Sequence, residues 1–260
     1  MDKLRLGGMA LQNGVIVHGP TSWAASIRRE DGSLRTASGR IPRFGPRVSA
    51  PFVRGPVRIA ESLALIPAVK RELPEARFAF ERPAVAVAVV AGSLGAAAVR
   101  RAPVATGVRE AAAAFASLVP AVLSLRGGEL TGYHGAEHVS IGSYETDTRA
   151  SKEHDRCGSH LVGPLLVTSA IASAFAGRAP RGVRAPARIA GAVGALGASV
   201  ELFSWMGRHP ERRLARALAR PGQELQTRLS TAEPTDPQLE VAQSALAACL
   251  AAEAAAPDLR

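Results

Sequence analysis

Four long apolar stretches constrain this chain more than any other feature. Residues 84–99, 111–125, 161–177 and 189–206 contain a single charged side chain between them, Glu201. Arginines bracket them, at Arg82, Arg100, Arg101, Arg126, Arg178, Arg188 and Arg208. Each stretch runs 15–18 residues, slightly under the ~20 needed to cross a bilayer. Flanking residues and snorkelling arginines extend such segments. A soluble protein could bury all four as core helices, but 84–99 has no polar face to turn to water. Gly and Ala recur within them, as close helix packing in lipid favours. The expectation is a mainly α membrane protein with about four transmembrane helices. An even number of crossings puts both termini and the 127–160 loop on one side. The arginine-rich tails assign that side to the cytoplasm, although Arg178, Arg181, Arg184 and Arg188 then fall outside. The chain is thus expected to be a multi-pass protein of the cell membrane.

The remaining sequence frames this region. Residues 1–58 are short apolar pieces broken by Gly, Pro and Arg. Residues 10–18 and 23–28 read as strands, Gly19-Pro20 and Asp31-Gly32 as turns, and 40–56, with four prolines, as loop. A small β-rich N-terminal region is expected. In 59–73, Ile59, Leu63, Ile66 and Val69 share one helical face. Residues 59–206 form the expected helical membrane domain, with 127–160 as a central motif loop. Residues 207–260 read as a soluble helical C-terminal tail: a basic helix over 208–220, a turn-rich segment, and an Ala-rich amphipathic helix over 238–255.

The net charge is +10, and all but three of the 32 basic residues are Arg. A basic surface can meet nucleic acid or anionic lipid. With aromatics at 4% and no RNP-type or zinc-finger pattern, nucleic acid is set aside. The lipid bilayer is the expected partner, with a protein partner at the cytoplasmic face and the oligomeric state left open. The two cysteines, Cys157 and Cys249, imply no disulfide framework. Residues 1–12 show no signal-peptide pattern.

The chemistry concentrates in Tyr133-His134-Gly135-Ala136-Glu137-His138. On a helix His134 and His138 are i and i+4, so they share a face and can hold one divalent metal ion. Imidazoles suit zinc among the first-row metals. Glu137 completes an H-x-x-E-H string and is placed to act as general base. The bland alternative is a polar helix with hydrogen-bonded histidines. Further candidate ligands are His154 and Cys157, three residues apart, and Glu201, whose carboxylate needs a partner or a cation inside an apolar stretch. The bland readings are a packed thiol for Cys157 and a structural ion pair for Glu201. No nucleophile elbow, P-loop or dinucleotide fingerprint occurs. Gly7-Gly8 and Gly127-Gly128 read only as turn formers.

Taken together, these strings resemble the YqhQ-like family of bacterial membrane proteins, a domain-of-unknown-function family often labelled metal-dependent. The likeness runs along nearly the whole chain. It rests on Gly7-Gly8, Asn13-Gly14-Val15, Gly19-Pro20, Arg54-Gly55, Tyr133–His138, Tyr144-Glu145, His154 with Arg156-Cys157-Gly158, Glu201, and the closing Pro221-Gly222, Leu225-Gln226 and Glu240-Val241-Ala242. Departures include Met9 for Gln, Asn13 for Glu, His18 for Arg and Ser159 for Thr. The resemblance implies a metal-dependent membrane protein. Two readings follow. One is a membrane protein acting as regulator or assembly factor, with a structural metal site. The alternative is a membrane-bound metal-dependent hydrolase using Glu137, with peptide or amide bonds as substrate by analogy. Transport through Glu201 is a third reading.

Overall fold

Period-two alternation builds the N-terminal region. The computed structural model describes residues 3–44, 48–104, 106–124 and 127–256. Four strands, β1 (Gly7–Leu11), β2 (Gly14–His18), β3 (Ser22–Arg28) and β4 (Leu34–Arg40), form an antiparallel sheet in chain order. The expected strand over 10–18 is a hairpin instead, with Leu11 opposite Gly14 across the Gln12-Asn13 turn. Asn13 fixes that turn. Its side chain donates to the carbonyls of Arg28 and Glu75 and accepts from the Arg77 amide. Successive strand residues face opposite ways. Val15, Val17 and Ala24 enter one core, while Leu11, Ile16, Trp23, Ala25 and Ile27 enter another.

Each sheet face therefore has its own cover. The second face packs on Leu65 and Val69 of a short helix and on Leu73, Ala76 and Phe78 after it. The helical face expected over 59–73 is broken into α1 (Arg54–Leu63) and α2 (Leu65–Glu72). Pro67 has no N–H to donate to Leu63, so one continuous helix loses a rung there. Leu63 ends up exposed. The first face packs on α5 (Glu129–Thr146) and α9 (Asp236–Ala254), through Tyr133, Ala136, Ile141, Val241, Ala242 and Ala245. The C-terminal segment is thus no separate tail, because α9 is part of the core around the sheet. Thr235 and Gln238 form a capping box at its start.

The remaining helices are α3 (Pro83–Val99), α4 (Thr106–Ser124), α6 (Val162–Arg178), α7 (Arg184–Arg208) and α8 (Arg213–Leu225). They correct the expected count of four spans. Among the described residues two helical segments are long and apolar enough to cross a membrane, Gly158–Arg178 and Arg184–Arg208. Helix α3 stops at 17 residues, about 25 Å at 1.5 Å per residue, short of the ~30 Å hydrocarbon core. Helix α4 has Arg109 and Glu110 near the start of its sequence and carries Pro120 inside. Leu125 and Arg126, where the second apolar stretch ends, lie outside the described residues.

Glu201 has a clear place in this helical half. Its carboxylate takes the Arg54 side chain, through Nε at 2.8 Å and through Nη2, and accepts from the Phe52 amide. Helices α1 and α7 cross closely enough that a Cβ on Gly55 would lie 2.6 Å from Val200 Cβ. The Arg54-Gly55 pair and Glu201 thus belong to one helix crossing.

Candidate metal centre

The helix that carries the site is buried although its sequence is polar. Twelve consecutive-turn positions of α5, among them His134, Glu137 and His138, are buried. Glycines permit this. A Cβ on Gly135 would lie 2.1 Å from the Ala232 carbonyl oxygen, and one on Gly132 would lie 2.4 Å from the Gln238 side chain. The chain after α8 can therefore pass directly against α5.

That close passage fixes the histidines. Nδ1 of His134 lies 2.8 Å from the Ser230 carbonyl, and Nδ1 of His138 lies 2.6 Å from the Lys152 carbonyl. A carbonyl only accepts, so each Nδ1 carries the proton and donates it. Each Nε2 is then left with its lone pair available, the tautomer a metal ligand needs. The two rings stand 4.4 Å apart between centroids. Nε2 of His134 lies 3.5 Å from Sγ of Cys157. Bonds of ~2.0–2.1 Å to nitrogen and ~2.3 Å to sulfur at a tetrahedral angle give an edge of about that length. One donor atom each from His134, His138 and Cys157 lies within 4.8 Å of the others, so the three could hold a metal ion.

Protonation states agree with this geometry. Burial, then the neighbouring His134, hold the His138 imidazole down at about 3, so it is neutral near pH 7. Burial pushes the Cys157 thiol up, and the Ser159 hydrogen bonds oppose it. A bound cation would reverse that by favouring the thiolate. Burial pushes the Glu137 carboxyl up to about 7; His134 lowers it and Cys157 raises it. A carboxyl poised there can both take and release a proton near neutral pH.

A cavity of about 410 Å³ opens onto these groups. Its walls include Glu137, His134, His138, Cys157, Gly8 and His18. That volume lies in the range of small-ligand pockets. Gly8 of β1 is no turn residue: a Cβ there would lie 2.3 Å from Oε1 of Glu137. The glycine leaves the carboxylate its room.

The other sequence candidates occupy different positions. His154 is not in the three-residue group. Its ring lies 5.6 Å from that of His138, and its Nε2 lies 3.1 Å from Oε2 of Glu145, which also pairs with Arg156. Glu201 is held by Arg54 at the α1–α7 crossing. Three contributors carry little or no local sequence signal. Ser230 and Lys152 act through backbone carbonyls. Gln226, fully buried, accepts from the His154 amide at 2.8 Å and donates to Ser159 Oγ at 2.9 Å. It braces both sides of Cys157. Only the Leu225-Gln226 string hinted at it.

Residues 128–252 match the model of a family described as a protein of unknown function (DUF1385). The match begins just before α5 and runs into α9, so it includes His134, Glu137, His138 and Cys157 and leaves out the sheet. No curated protein and no solved structure matches the chain.

Proposed function

We propose that the protein is a metal-dependent hydrolase, with His134, His138 and Cys157 as the protein ligands of a divalent ion, zinc for preference, and Glu137 as the proton-transferring group. One observation carries this reading: two imidazoles locked by backbone carbonyls, with a thiol beside them, face a cavity that also holds a buried carboxyl. Three protein ligands leave room for a water or substrate, as in catalytic zinc sites, whereas structural sites are closed by four. This favours the hydrolase over the regulator or assembly factor with a structural metal.

The ion would supply positive charge that acidifies water and polarises the substrate. The chain's own residues do the rest. Ser230 and Lys152 hold the imidazole tautomers through their carbonyls. Gln226 braces the loop on either side of Cys157. Glu137 takes the proton of the attacking water and returns it to the leaving group, as the water oxygen bonds to the scissile centre and the old bond breaks.

The same reading places α6 and α7 in a bilayer. A short connection joins them, so they run antiparallel. Cys157 at the start of one and Arg208 at the end of the other then lie on a common side. We take that side, with both termini, as cytoplasmic, on the strength of the arginine-rich tails. Metal analysis of the full chain purified in detergent tests the core of the proposal. A stoichiometric ion lost in His134→Ala/His138→Ala, and kept in a Glu137→Gln variant inactive on ester, amide and phosphoester panels, supports it. A wild-type protein that takes up no metal after supplementation defeats it.

A further inference from the structure

A second cavity of about 610 Å³ adjoins the first. Leu6, Gly7 and His18 line both, so the two meet at the start of β1 and the end of β2. Gly7 keeps the junction thin, because a Cβ there would lie 2.7 Å from Nε2 of His18.

The charge of this second cavity is one-sided. Arg5, Arg43, Arg54 and Arg58 line it, against the single carboxylate of Glu61. Arg54 is neutralised by Glu201. Arg43 donates to the Pro20 carbonyl, which leaves its charge uncompensated. Arg5 and Arg58 form no ion pair among the described residues. Apart from His18 and Ser62, the remaining side chains of the wall are apolar, among them Ile41, Val57, Leu65 and Phe203 of α7. Guanidinium forks match the oxygen geometry of phosphate and bind it bidentately. A cavity with unpaired guanidiniums and an apolar wall therefore suits an anionic phosphate group joined to a hydrocarbon portion.

We propose that this basic cavity is the subsite for a phosphate-bearing group of the substrate, seated so that the bond to be cut reaches the adjoining His134–His138–Cys157 cavity. The substrate assignment rests on the hydrolase reading above; the phosphate site itself does not. The phosphate can belong to a lipid headgroup or to a soluble phosphoester.

Binding to the full chain in detergent separates these cases. The probes are inorganic phosphate, followed by calorimetry, and phosphatidylglycerol added in mixed micelles, with phosphatidylcholine micelles as the neutral control. Saturable binding, weakened at least about tenfold in Arg5→Gln/Arg58→Gln, is the expected result. A response to both probes, or to phosphate alone, assigns a soluble phosphoester; a response to phosphatidylglycerol alone assigns a lipid headgroup. Arg5→Lys/Arg58→Lys keeps the charge and removes the forks, so it provides a folded variant if the glutamine pair does not fold. The expected loss there is intermediate. No saturable binding of either probe, or equal binding by wild type and both arginine variants, overturns the proposal. His134→Ala/His138→Ala keeps the two readings apart. It should lose metal and keep phosphate binding, whereas a metal-loaded wild type that ignores both probes sinks the phosphate subsite alone.

Discussion

Helices α5 and α7 invert the usual relation between polarity and burial. Helix α5 carries two histidines, three glutamates, two tyrosines and two serines, and most of it is buried. Helix α7 is apolar over most of its length, yet only 22% of its most apolar window is buried, with Ile189 and Val193 left exposed. The difference lies in what surrounds each helix. The histidines and the glutamate Glu137 of α5 find carbonyls, a thiol and a cavity inside the protein, so burial leaves few polar groups unsatisfied; among the described residues of α5 the Ser140 hydroxyl is the exception. Helix α7 packs on α6, α1 and α8, yet it leaves an apolar outer face uncovered, and it is long and apolar enough to cross a membrane. Apolar character is therefore buried around the sheet and exposed along α7, while the polar face of α5 is turned inward.

The largest test of the contrast is Glu137→Gln. It should keep the metal and the fold while lowering turnover by roughly 10²–10⁴, read by initial rates beside metal analysis. Unchanged turnover would return α5 to a structural role.

Next comes stability. Gly135→Ala drives a Cβ into the Ala232 carbonyl and should cost about 1–3 kcal/mol, read by denaturant melts. Gly95→Ala on α3 meets nothing within 4 Å and should be neutral or stabilising by up to about 1 kcal/mol. Equal losses at both positions would mean that the two halves are packed alike.

Acid adds a finer cut in the metal-free protein. The folded pKa of His138 is about 3 against an ordinary 6.5. Its contribution to stability is complete above 6.5 and is lost as pH falls toward 3, with a slope approaching ~1.4 kcal/mol per pH unit. Glu137 has the opposite sign. Its folded pKa is about 7 against 4.5, so its contribution is complete below 4.5 and is lost as pH rises toward 7. The two oppose each other between 4.5 and 6.5. In Glu137→Gln only the histidine slope should remain, and melting temperature should fall more steeply on acidification than in wild type. Parallel profiles would show that one of these groups is not buried as described.

The smallest effect concerns Glu201. Glu201→Ala should leave metal content unchanged and lower the melting temperature only slightly, because Arg54 loses its partner at the α1–α7 crossing but can turn to solvent. Loss of metal would restore Glu201 as a ligand.

How much of this was legible beforehand follows from what each residue uses. His134 and His138 act through side chains one helical turn apart, so their spacing alone aligned them. Cys157 was visible as a donor near His154, but spacing could not tell which of the two reaches the pair. Glu201 was visibly costly, while its partner Arg54 lies 147 positions away, beyond any local pattern. Ser230 and Lys152 act through carbonyls, which every residue possesses, so nothing distinguished them. The apolar stretches were found where they occur, but their number as spans was overcounted, because flanking residues were expected to lengthen them, whereas α3 ends at Val99 after 17 residues. The Gln12-Asn13 turn was missed because apolar residues continue on both sides of it.

The Ser230 carbonyl that fixes His134 also sets a schedule. During synthesis α5 leaves the ribosome long before residue 230 does, and the strands leave before the α9 that covers them. Two helices suited to a bilayer, α6 and α7, come between. Contacts this distant in sequence form late, after loop-closure entropy has been overcome. The imidazole tautomer and the covered sheet therefore wait until residue 230 and α9 have been made. A nascent chain stopped before residue 230 would carry all three candidate ligands, yet not the geometry that makes them a site.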